Sequence, residues 1–131
     1  MFFITGWDGN PFSYIIIQKL HLFILKRRQL GGGIFVEHGD CCWISCKKIG
    51  ENLWINQGVT IGYSNKTDCP VIGNNVSIKA GAKVFGKITI GNNVIIGANA
   101  VVNKSVPDNC TVVGVPAKIV RKDGQRVNLN L

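Results

Sequence analysis

The sequence predicts a mainly β chain wound into a parallel β-helix, and three observations carry that prediction. An aliphatic residue returns every six positions along much of the chain, a second small or apolar residue follows all but one of them four places later, and glycine and asparagine crowd the positions between. Neither a helix, with its period near 3.6, nor a strand, with its period of 2, explains a spacing of six.

The first series runs Ile49, Ile55, Ile61, then Ile72, Ile78, Val84, Ile90, Ile96 and Val102. Its one irregular interval, from Ile61 to Ile72, holds one repeat plus five surplus residues, and the surplus falls in the polar stretch "YSNKTDCP". A loop is expected to leave the coil there. The second series is Leu53, Val59, Val76, Ala82, Ile88, Val94, Ala100 and Val106. Two inward positions in six residues describe very short strands joined by tight turns, because alternate strand residues face one way. Glycine and asparagine supply the positive φ that such turns need, as in Gly73-Asn74-Asn75 and Gly91-Asn92-Asn93. A single repeat cannot bury its apolar pair, but stacked repeats share a continuous core, and three repeats per turn make a triangular prism. The nine repeats predict about three turns over residues 49–106. The spacing does not set the hand of the coil.

At 131 residues the chain is one domain. It is expected to divide into an amphipathic segment 1–30, a β-helix domain 31–117 and a basic tail 118–131. The net charge is +8, and the stretch from Pro70 to Pro107 carries Lys79, Lys83, Lys87 and Lys104 without an acid. That pattern suits an anionic ligand or, equally, a solvated face. The lysines are not interleaved with aromatic residues and no nucleic-acid motif accompanies them, which argues against a nucleic-acid partner. Five cysteines, Cys41, Cys42, Cys46, Cys69 and Cys110, show no paired spacing and fit free thiols in a reducing cytoplasm. Adjacent cysteines suit no common zinc finger, so no metal is expected.

The segment "FSYIIIQKLHLFIL" places Phe12, Ile15, Ile16, Phe23 and Ile24 where one side of a helix would gather them. An amphipathic helix is the expectation, with a strand as the alternative. Its basic residues Lys26, Arg27 and Arg28 follow the apolar run, and Lys19 and His21 interrupt it, so neither a secretory signal nor a membrane span is expected.

Two histidines could do chemistry. His21 reads as a packing residue of the apolar stretch. His38 stands in "GGGIFVEHGD", just ahead of the repeats, and a neutral imidazole there could take a proton from a hydroxyl.

The segments "GGGIFVEHGD" and "ENLWINQGVTIG", followed in order by "AGAKV", "IGANAVV", "VPDN" and "GVPAK", resemble the left-handed β-helix acyltransferases, and within them the serine acetyltransferase type. The resemblance covers residues 31–122. It implies a left-handed coil, a homotrimer, acetyl-CoA as acyl donor, a small hydroxyl acceptor and no metal. Under it, His38 is the general base, and Glu37 the acidic residue that helps to hold the acceptor, here one methylene longer than the usual aspartate. The loop 63–71 is the one that closes on the site, with Asp68 and Cys69 on the acceptor side. Backbone at Gly62 and Tyr63 would face the thioester oxygen, where a developing oxyanion needs fixed donors. Ala80, Gly81 and Ala98 would line the pantetheine groove, and Lys83 and Lys104 would meet the phosphates.

Two positions depart from the family pattern. Cys69 stands where a second histidine helps to recognise the amino-acid acceptor, and residues 20–30 hold no acid where a carboxylate is paired with the catalytic histidine. A sugar or polysaccharide acceptor is therefore the alternative, and a non-catalytic trimeric scaffold is a further one. A zinc carbonic anhydrase of this coil would need three histidines.

Overall fold

The computed structural model describes residues 2–4, 16–17 and 22–25 as strands and then residues 30–131 continuously. Ahead of the repeats come β1 (Phe2–Ile4), β2 (Ile16–Ile17), β3 (Leu22–Leu25), β4 (Ile34–Val36) and β5 (Trp43–Ser45). The coil continues through β6 (Lys48–Ile49), β7 (Trp54–Ile55), β8 (Thr60–Gly62), β9 (Val71–Ile72), β10 (Ser77–Ile78) and β11 (Lys83–Phe85). It closes with β12 (Thr89–Ile90), β13 (Ile95–Ile96), β14 (Val101–Val102), β15 (Cys110–Val113), β16 (Lys118–Lys122) and β17 (Gln125–Asn130).

These strands fall into three sheets, one for each face of a prism. Face A stacks β4, β7, β10, β13 and β15, face B stacks β5, β8, β11 and β14, and face C stacks β6, β9 and β12. Within the coil each strand lies parallel and in register on the one below, so Ile55 meets Ile78 and Ile78 meets Ile96. Every member of both six-residue series is buried. Each strand sends one aliphatic inward and its neighbours outward, and the inward column is the core.

The solenoid is longer than the period predicts. A further turn precedes Ile49, in which Leu30 bridges to Ile49, Val36 pairs with Ile55 and Ile44 pairs with Ile61. Its intervals, Val36 to Ile44 and Ile44 to Ile49, are eight and five residues, and these break the frame from which the repeat was read. At the other end Val106 bridges back to Ile90 and Val112 pairs with Ile96, which adds part of a turn. The stretch 118–131, set apart in sequence as a tail, is folded: β16 and β17 continue face A as an antiparallel hairpin, with Ile119 buried opposite Val112.

The N-terminal expectation needs correction where the structure describes it. Residues 16–17 and 22–25 are extended, β3 pairing in parallel with β5 and β2 antiparallel with β3. The strand alternative holds there, because β-branched and aromatic runs suit a sheet and the first turn of the coil leaves a strand edge to pair with. The rest of the expected helix, including Phe12, Ile15, Lys19 and His21, lies outside the described residues. Among the described residues no helix is long and apolar enough to cross a membrane.

The edge between faces C and A shows how the turns are held. Asn52, Asn75, Asn93 and Asn109 all adopt φ between 53° and 57°. Their side chains bond down the stack: Asn52 Nδ2 donates to Asn75 Oδ1 at 2.9 Å, Asn75 to Asn93 at 3.2 Å, Asn93 to Asn109 at 2.9 Å, and Asn109 to Asp123 Oδ1 at 3.0 Å. Asparagine tolerates the left-handed region and brings the bond with it. Beside this ladder the backbones approach closely, so a Cβ at Gly73 would stand 2.7 Å from the Gly91 carbonyl oxygen. Asn75→Ala therefore loses both the conformational tolerance and the ladder bonds, at a cost of roughly 2–3 kcal/mol. Asn75→Gly loses only the bonds, at roughly 1 kcal/mol. Urea unfolding of the two variants should show that order; equal losses would mean that the ladder alone matters.

Candidate active site

The edge between faces A and B carries the irregularity that presents His38. In the regular turns three residues link the inward aliphatic of face A to the next buried residue: 56–58 between Ile55 and Val59, 79–81 between Ile78 and Ala82, and 97–99 between Ile96 and Ala100. In the first turn five residues, 37–41, link Val36 to Cys42. The coil cannot absorb two extra residues inside the prism, so they leave at the edge. Cys41, at φ 57°, takes the left-handed place held below it by Gly58, Gly81 and Asn99. His38 is left exposed on the protrusion, with φ 52°. Gly39 beneath it is buried, and a Cβ there would stand 2.7 Å from Val36 Cγ1. The Asp40 N–H donates to the His38 carbonyl at 2.8 Å and closes the bend.

Glu37 remains in the sheet through its N–H, which donates to Ile55 O at 2.8 Å. Its carboxylate accepts two hydrogen bonds on one oxygen, from Asn56 Nδ2 at 2.8 Å and Trp54 Nε1 at 3.1 Å. Trp54 in turn meets Phe35 edge-on, ring centroids 5.1 Å apart, and carries the Lys79 ammonium 4.7 Å from its ring centre. Sequence reasoning passed over Trp54 and Asn56 and named Lys79 only as one of the basic residues. The signal was present, since residues 37, 56 and 79 each directly follow an inward aliphatic of face A and so stack in one outward row. Asn56 Oδ1 and the neighbouring Ser77 Oγ are buried without a hydrogen-bond partner among the described residues.

The residues named from sequence separate onto two edges. Glu37, His38, Ala80, Gly81 and Ala98 share the edge between faces A and B, where backbone bonds from Gly58 N to Asp40 O, Gly81 N to Gln57 O and Asn99 N to Ala80 O run down the stack. Small side chains leave this strip low. Lys83 joins the same edge, its Nζ donating to Gly58 O at 2.6 Å. Gly62, Tyr63, Asp68, Cys69 and Lys104 lie at the opposite side of face B, on its edge with face C. Three strand residues, about 10 Å, separate the two edges within one chain.

The extruded loop on that second edge is ordered by its own side chains. Asn65 Oδ1 accepts from the N–H groups of Thr67 and Asp68, both at 2.9 Å, and Asn65 Nδ2 donates to Asp68 Oδ2 at 2.7 Å. Ser64 N donates to Asp68 O at 3.1 Å and closes the loop at its base. Lys104 bonds the Leu131 carbonyl oxygen at 2.7 Å, at the rim of a hollow formed with Pro116, Ala117 and Lys118. Both lysines named for phosphates are thus engaged with main-chain oxygens.

A family model for the bacterial transferase hexapeptide, six repeats, matches residues 69–104. A serine acetyltransferase of Staphylococcus xylosus is 51% identical over 104 residues, which cover 76% of this chain and 48% of that protein. The chain belongs to the hexapeptide-repeat acyltransferase family and is serine acetyltransferase-like. A crystal structure of serine acetyltransferase from Brucella abortus strain S19 superposes with a TM-score of 0.74 at 38% identity, covering 78% of this chain and 43% of that one. The same enzyme in complex with coenzyme A gives 0.66 at 39% identity, covering 72% and 39%. The coil is accordingly the left-handed β-helix of these neighbours. The chain spans about half the length of the curated relatives it matches.

The protrusion depends on Gly39, because Val36 already fills the space a side chain would need. Gly39→Ala should cost roughly 1–3 kcal/mol, the range for overpacking a filled site, read as a lowered urea midpoint. An unchanged midpoint would show that the bend relaxes freely and that His38 is not held by it.

Proposed function

We propose that this chain transfers the acetyl group of acetyl-CoA to the hydroxyl of serine or a serine-like acceptor, with His38 as general base, in an assembly of three copies. The observation that carries the proposal is the two-residue protrusion that holds His38 exposed at the head of a low strip of Ala80, Gly81 and Ala98. The relatives named above are serine acetyltransferases, and one of them was solved with coenzyme A.

A hydroxyl attacks a thioester poorly until its proton has somewhere to go. His38 accepts that proton as the oxygen attacks the acetyl carbon, and the same proton is then available to the departing CoA thiolate. Glu37, held by Trp54 and Asn56 on the same edge, presents its second carboxylate oxygen toward an acceptor's amino group. Lys83 and Lys104 are the candidates for the cofactor's phosphates, and the backbone at Gly62 and Tyr63 for the oxyanion.

Gly62, Tyr63 and Lys104 require a second copy. One chain holds the base on one edge and the loop, Gly62, Tyr63 and Lys104 on another. Setting the second edge of one copy against the first edge of the next unites them, and three triangular prisms placed this way close a ring. Face A supports such contact with Trp54, Ile95 and Val113 exposed at 42%, 44% and 38%, and with the Asn56 and Ser77 oxygens that find no partner among the described residues. Free thiols fit a reducing cytoplasm as the compartment.

A sugar acceptor is the second reading, favoured by Cys69 in place of the second histidine and by the exposed Trp54 beside Glu37 and Asn56. Thiol release from acetyl-CoA with serine, homoserine and simple sugars decides between them.

His38→Ala should lower acetyl transfer by roughly 10²- to 10⁴-fold, the range for removing a general base, with coenzyme A affinity unchanged. Full activity at saturating acceptor would remove His38 from the chemistry. In sedimentation velocity at micromolar concentration the protein should run at three times the chain mass, and a folded, active monomer would refute the shared site.

A further inference from the structure

We propose that Cys46 and Cys69 form a reversible disulfide that clamps the extruded loop to the preceding turn of the coil. Each of these cysteines stands two residues ahead of a strand of face C, Cys46 before β6 and Cys69 before β9. The two strands pair in parallel with Lys48 opposite Val71 and Ile49 opposite Ile72. Both cysteines lie just ahead of that pairing, Cys46 one residue before Lys47 and Cys69 one residue before Pro70. The Lys47 N–H donates to the Pro70 carbonyl at 2.8 Å and holds the two chain segments together immediately after the cysteines. Neighbouring strands lie about 4.8 Å apart, inside the Cα separation of roughly 4.4–6.8 Å that a disulfide spans.

The other three thiols are placed differently. Cys42 donates to Asn56 O at 3.2 Å and Cys110 to Asp108 O at 3.4 Å, both from buried positions. Cys41 is exposed on the edge between faces A and B, away from the loop. Cys46 is buried, 7% exposed, and Cys69 is half-buried. Burial first, and then the nearby charge of Cys69, push the Cys46 thiol up to about 12, so that it keeps its proton at neutral pH. Cys69 is therefore the point of entry.

The oxidant is a low-molecular-weight disulfide such as oxidised glutathione. The Cys69 thiolate attacks one of its sulfurs, forming a mixed disulfide and releasing one glutathione thiolate. Cys46 then gives its proton to solvent, attacks the Cys69 sulfur and expels the second glutathione thiolate. Two protein thiols are oxidised to one disulfide, and one glutathione disulfide is reduced to two thiols. Because Asn65 and Asp68 already tie the loop to itself, a bond at its C-terminal root fixes the whole of residues 63–69 against face C.

The test uses the reduced full chain, incubated with oxidised glutathione, alkylated and digested with trypsin without reduction. Cleavage after Lys47 and Lys66 separates the two cysteines into different peptides. The expected product is the peptide beginning at Thr67 linked to the one ending at Lys47, with fragment ions assigning the bond to Cys46 and restoration of both peptides by dithiothreitol. Cys46→Ser should abolish the link and leave Cys69 as a stable glutathione adduct, while Cys41→Ser should leave the link intact. A wild-type map with Cys69 only glutathionylated, or linked to Cys41 or Cys42, overturns the proposal. The map reads covalent mass, so it stands whether or not the chain transfers acetyl groups.

Discussion

Everything in this molecule depends on stacking in register. Each turn lies on the one before with equivalent residues superposed, so a side chain that points inward must do so again in every turn, and a corner that bends through positive φ must bend there each time. Ile55, Ile78 and Ile96 form one column of the core for this reason, and the asparagine ladder is the same rule applied to a corner. The constraint is collective. A surplus residue inside a face would shift all later residues from core to solvent, since strand faces alternate residue by residue.

Departures from the repeat are consequently forced to the edges, and the candidate site residues stand there. Two extra residues at one edge expose His38, and five at another make the loop that carries Asp68 and Cys69. The regular turns beneath supply the rigidity. Glu37 shows how the two meet, since its backbone belongs to the regular ladder while its carboxylate gathers Trp54 and Asn56 from the next turn.

Much of this was legible in the sequence wherever the period was intact. The inward positions from Ile49 to Val106 and the extruded loop could be read directly, because a spacing of six has few other physical meanings. The first turn could not, since intervals of eight and five residues hide its frame, and a run such as "YIII" satisfies helical spacing as readily as a strand. His38, Glu37 and the small residues of the strip came from resemblance to a family rather than from spacing. What neither route supplied was the division of those residues between two edges and the engagement of Lys83 and Lys104 with main-chain oxygens, because both depend on which turn lies over which.

The C-terminal end of the coil has a consequence for size. A parallel solenoid presents an unsatisfied backbone edge on its last turn, which invites another chain to pair with it. Here the chain covers its own end: Val101 donates its N–H to Gly114 O and accepts from Ala117 N–H, and Ala117 and Ile119 plug the core. A closure built on the local backbone is indifferent to how many turns lie beneath it. Regular turns repeat every 18 residues, as from Asn75 to Asn93, so the protein could grow or shrink in whole turns while its end remained sealed. Length in this architecture is quantised in whole turns.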